Sequence, residues 1–116
     1  MPRYVVQRSF PEGLRLPPEE SRAEFSRRVI ARDAEEGVTW IQSFVSEDGT
    51  CTFCIYDAPS PEAIRRTSAR NQLPVDQITR VSVLDPYSYT WRPLPAGTDR
   101  APRCATPRDR DPASSA

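Results

Sequence analysis

The sequence predicts an α+β fold of order β-α-β-β-α-β, a four-stranded antiparallel sheet with two helices on one face. Three observations predict it. Residues 37–58, GVTWIQSFVSEDGTCTFCIYDA, read as two strands joined by a tight turn. A helical pattern precedes this hairpin, and a helix start follows it. Two further alternating runs, one near each end of the domain, supply the first and fourth strands.

Taken in order, RYVVQRSF (3–10) alternates Tyr4, Val6, Arg8 and Phe10 with Val5, Gln7 and Ser9, as a strand requires. Pro11-Glu12-Gly13 ends it. From about Pro18 to Glu36, Ala23, Ser26, Ile30 and Ala34 recur at helical spacing, with Phe25 and Val29 beside them. Glu24, Arg27, Arg28, Arg32 and Glu35 form the solvated side, and Gly37 stands where a helix-ending glycine belongs. In the second strand, 38–46, Trp40, Gln42 and Phe44 share one face and Thr39, Ile41, Ser43 and Val45 the other. In the third, 50–58, Cys51, Phe53 and Ile55 oppose Thr52, Cys54, Tyr56 and Ala58. Both faces of the hairpin carry apolar groups, so both call for cover. Ser60 caps the second helix, Pro61 takes its first position, and Glu62 is placed to pair with Arg66. Leu73-Pro74 stops it, and 77–84 alternates Ile78, Arg80, Ser82 and Leu84 with Thr79, Val81 and Val83. The domain therefore spans 1–86. Residues 87–116 form a Pro/Arg-rich tail. Its first part, with Tyr87, Tyr89, Trp91 and Leu94, is suited to docking; beyond Ala96 the composition predicts disorder.

Composition excludes more than it suggests. The 16 basic residues, all Arg, balance 16 acidic ones, which gives no support to nucleic-acid or membrane binding. Histidine is absent, which removes imidazole acid–base catalysis, Ser/His and Cys/His nucleophile pairs and imidazole metal ligation. MPRYVVQRSF has no signal-peptide pattern, and no run approaches 18 apolar residues. Three cysteines make no disulfide framework. The expectation is a cytoplasmic protein.

Cys51-Thr52-Phe53-Cys54 is formally a C-x-x-C motif. On a strand its two thiols point to opposite faces, with Cα atoms about 10 Å apart. A disulfide needs about 7 Å or less, so the pair reads as two structural cysteines, with neither a redox nor a metal role. Cys104 reads as a free thiol in the tail. Among the acids, only Asp57 falls where a carboxyl could be partly buried. No catalytic residue, metal ligand or cofactor is assigned. The sequence favours a binding module with a small-molecule pocket between the sheet and the second helix, lined by Tyr4, Cys54, Tyr56 and Thr67. The alternative is a cofactor-free enzyme of dimeric-barrel type acting on a small organic substrate. For that reading the buried ionisable candidates are Asp57, Arg8 and Arg80.

MPRYVVQRSF, GVTWIQSFVSEDGTCTFCIYDAPSPEAIR and LPVDQITRV with Asp85-Pro86 together resemble a domain-of-unknown-function family of small ferredoxin-like proteins. That family includes nickel-binding members. The resemblance covers roughly residues 2–86 and implies the ferredoxin-like fold and a dimer. The family commonly has a His-Ala pair in the second helix and a Gly before Leu-Pro, where this chain has Thr67-Ser68 and Gln72. Without histidines the nickel activity does not carry over. With both helices on one face, the other face would be an exposed apolar patch in a monomer. The expected assembly is a homodimer through that face, a dimeric α+β barrel.

Overall fold

The computed structural model describes residues 1–94; the expected disordered stretch beyond Ala96 and Cys104 lie outside the described residues. The strands are β1 (Arg3–Ser9), β2 (Thr39–Val45), β3 (Cys51–Asp57) and β4 (Gln77–Val81); the helices are α1 (Arg22–Glu35) and α2 (Pro61–Arg70). The sheet order is β2-β3-β1-β4, antiparallel throughout. This is the expected β-α-β-β-α-β connectivity.

Register places Tyr4 opposite Tyr56, Val6 opposite Cys54 and Arg8 opposite Thr52, so these six side chains share a face. All six are buried, and they join Ala63, Ile64, Thr67 and Ser68 of α2 and Asp33 of α1 in the interior. Both helices thus cover this face. The other face presents Val5, Gln7, Phe53, Ile55, Phe44 and Val81, with no element of the described chain packed across it.

Each helix ends in the same two-bond motif. Gly37 (φ +73°) donates to Ala34 O at 3.0 Å and Val38 to Asp33 O at 2.9 Å. In α2, Gln72 donates to Ala69 O at 3.1 Å and Leu73 to Ser68 O at 2.8 Å. The pivot of this motif is left-handed, which glycine adopts at no steric cost. Gln72 adopts it at φ +59° with a side chain attached. At the start of α2 the Ser60 hydroxyl accepts from the Ala63 amide at 3.2 Å, as the sequence predicts.

Four expectations are corrected. Strand β2 carries a bulge at Ile41: Trp40 pairs with Tyr56, but Gln42 pairs with Ile55. The extra residue reverses the alternation. Trp40 therefore lies on the helix side, while Gln42 and Phe44 lie on the open side with Ile55 and Phe53. Helix α1 buries only Asp33, with Ser26 and Val29 half-buried; Phe25, Ile30 and Ala34 are exposed. The inner stripe is rotated by about one residue from the predicted one. Arg66 pairs with Glu36 at the C-terminal end of α1 at 2.9 Å, and Glu62 takes Arg65 instead. The fourth strand stops at Val81. Leu84–Asp85 (β5) instead pairs with Thr90–Trp91 (β6) in a small hairpin. Asp85 accepts the Tyr87 amide at 2.8 Å to make its turn, and Trp91 Nε1 donates to Ser82 Oγ at 2.6 Å.

Candidate functional site

The polar centre of the interior is built on Arg8, whose strand position points its side chain between the sheet and the helices. It is 2% exposed. Nη1 donates to Ser68 Oγ at 3.0 Å and to Pro74 O at 2.9 Å; Nη2 donates to Tyr56 Oη at 3.0 Å. The guanidinium also lies over the Tyr56 ring, 5.8 Å from its centroid. Pro74 contributes because the Leu73-Pro74 turn after α2 brings a carbonyl with no helical partner to the sheet.

Asp33 enters from the last turn of α1 and is 3% exposed. Its Oδ1 accepts from Asn71 Nδ2 at 3.3 Å, and Arg32 Nη1 donates to Asn71 Oδ1 at 3.3 Å from the outside. Burial pushes the Asp33 carboxyl up to about 6, although the Arg8 charge and the hydrogen bond from Asn71 pull it back. Burial likewise pushes the Tyr56 phenol up to about 12, with Arg8 opposing. Two buried atoms of this centre have no partner: Arg8 Nε and Asp33 Oδ2. A buried donor and a buried acceptor left open are costly, about 1–3 kcal/mol each.

Of the residues predicted to line a pocket, Tyr4, Cys54 and Tyr56 are neighbours in the sheet, and Thr67 faces them from α2. The Thr67 hydroxyl donates to Ile64 O at 3.0 Å, and Cys54 Sγ donates to Thr52 Oγ1 at 3.8 Å. All four are closed in, from 3 to 7% exposed. Asp57 is not interior: it holds Arg3 through Nε at 2.8 Å and Nη2 at 3.2 Å, and that guanidinium keeps its carboxyl below the usual range. Asp33 was not among the predicted residues. Its signal is its place: three residues before the helix end it faces Val38, where such a motif normally has an apolar contact.

The cysteines behave as the strand reading predicts. Cys54 is buried among the helices, Cys51 sits half-buried on the open face beside Gln7 Nε2 at 3.7 Å, and both are free thiols. Among the described residues no three His, Cys, Asp or Glu side chains gather where they could hold a metal ion. The donor set, thiols on opposite faces and no imidazole, does not fit nickel. None of the described helices is long and apolar enough to cross a membrane.

Fold and site together define a small α+β protein with a buried guanidinium–phenol–carboxylate centre. The chain belongs to the SCO4226-like family, described as nickel-responsive, whose model matches residues 4–81. It also superposes on the crystal structure of SCO4226 from Streptomyces coelicolor A3(2) with a TM-score of 0.54 and 19% identity, over 68% of this chain and 94% of that one. At that identity the likeness shows the fold. No curated protein matches.

Proposed function

We propose that this protein is a cytoplasmic, non-enzymatic binding protein that works as a homodimer and has lost its family's metal site. The observation that carries the proposal is the uncovered sheet face. Val5, Phe53, Ile55 and Val81 lie across it, and Phe44 stands 52% exposed at its edge. Four strands present apolar groups to solvent while both helices occupy the opposite side. A second copy related by a two-fold axis offers the same face and buries both.

In this reading the ligand is a small polar molecule held at the interior centre beside Tyr4, Cys54, Tyr56 and Thr67. It presents an acceptor to Arg8 Nε and a donor to Asp33 Oδ2, the two positions the protein leaves open. Access is by displacement of α1, which inserts only one buried side chain. One observation favours the enzymatic alternative: a carboxyl near 6 is poised for proton transfer around neutrality.

Native mass spectrometry of the purified protein tests the proposal. The expected result is a dimer that carries a small organic adduct and retains no nickel after metal exposure and desalting. A monomer, or stoichiometric nickel, would contradict it.

A further inference from the structure

The β5–β6 hairpin is a built structure. Leu84 pairs with Trp91 and Asp85 with Thr90. Asp85 accepts the Tyr87 amide at 2.8 Å, the Ser88 and Thr90 hydroxyls are bonded at 2.7 Å, and Trp91 Nε1 ties the hairpin to Ser82 at 2.6 Å. It holds two of the chain's four tyrosines and one of its two tryptophans. All three rings face solvent, from 58% exposed at Trp91 to 98% at Tyr87. A two-stranded hairpin left alone in water is marginal, so these rings call for cover. Bonds that already order the backbone beneath them lower the cost of docking them on a partner.

The place of the hairpin points to the partner. Asp57, Arg3 and Val81 stand side by side in the register of β3, β1 and β4 and form the end row of the open sheet face. A cavity of about 550 Å³ opens at this row. Val83, where the chain enters the hairpin, and Leu94, where it leaves, stand on the wall of the same cavity. On the hairpin itself, Ser82, Leu84, Tyr89 and Trp91 line a hollow of about 560 Å³. Uncovered surface thus runs from Val81 of the sheet, by way of Val83 and Leu94, to the aromatic rings. We infer that the hairpin is a docking arm for the second copy of this chain that covers the open face, with Tyr87, Tyr89 and Trp91 buried against that copy. Tyrosine and tryptophan are the side chains that most often carry the energy of such a contact. The inference rests on the homodimer proposed above and adds a second element to its interface. The arm lies beyond residue 81, outside the stretch that matches the family.

Sedimentation and footprinting of the full chain test the arm. Tyr87→Ala combined with Tyr89→Asn removes two exposed rings, and Asn tolerates the left-handed backbone of position 89 (φ +53°). Sedimentation equilibrium should show a parent dimer and a double variant whose dimer is about tenfold weaker. Hydroxyl-radical footprinting reads the rings directly. Tyr87, Tyr89 and Trp91 should be labelled several-fold more slowly where the parent is dimeric than at dilutions where it is monomeric. A dimeric parent with an unweakened double variant, or with rings labelled equally fast in dimer and monomer, would overturn the arm and leave the dimer standing. A parent that is monomeric at every concentration would overturn the dimer, and the arm with it.

Discussion

Burial keeps the Asp33 carboxyl protonated up to about pH 6, and this gives folding a pH signature. An unfolded aspartate releases its proton near pH 4. Between about pH 4 and 6 the folded chain therefore holds a proton that the unfolded chain has lost, and stability falls as pH rises through that window. Asn in place of Asp33 can still accept from Asn71 and carries no charge. Asp33→Asn should match the parent near pH 4 and exceed it at pH 7 by roughly 1–3 kcal/mol in urea unfolding. Parallel pH profiles would show that Asp33 is not a buried acid. Arg8→Met has the opposite sense. It strips hydrogen bonds from Ser68, Pro74 and Tyr56 and leaves Asp33 without its cation, at about 3–5 kcal/mol. Gln72 is the third residue with a distinct energetic role. Its left-handed backbone is the position at which the family resemblance expects glycine. Gln72→Gly should stabilise by about 1 kcal/mol, read as a raised denaturation midpoint.

At the scale of elements, the two helices are attached differently. Helix α2 buries Ala63, Ile64, Thr67 and Ser68. Helix α1 is held by Asp33, by its C-terminal turn, and by ion pairs from Glu35 to Arg70 at 2.7 Å and Glu36 to Arg66 at 2.9 Å. Ion pairs at such exposure contribute little, about 0.2–1 kcal/mol. Hydrogen exchange should accordingly find the α1 amides opening well before those of α2; equal protection would rule out α1 as the moving cover of the site. Element order, the Ser60 cap and the Gly37 stop were legible because local chemistry sets them. The β2 bulge was not: TWIQSFV alternates acceptably in either phase, and only pairing with β3 decides it. The rotated face of α1 was illegible for a related reason. Apolar periodicity points to Ile30 and Phe25, yet the helix turns its acid inward, where the charge of Arg8 partly offsets the burial. In the interior, the strand set Tyr4, Arg8, Cys54 and Tyr56 followed from the period of two, whereas Asp33 required the third dimension.

For the whole molecule, the question is what covers the open face of the sheet. Its apolar members come from every strand, and the described chain supplies no layer over them. The two-sided apolar hairpin anticipated this open face. The exposed aromatics of the β5–β6 hairpin, Tyr87, Tyr89 and Trp91, add a second uncovered region beyond residue 81, where the family match ends. Sedimentation equilibrium over a wide concentration range tests the dimer directly. The account predicts a species of twice the 13.1 kDa chain mass. Phe44→Asp, which puts a charge on that face at a position already 52% exposed, should convert it to a folded monomer. A parent chain that sediments at the single-chain mass at every concentration would contradict the account.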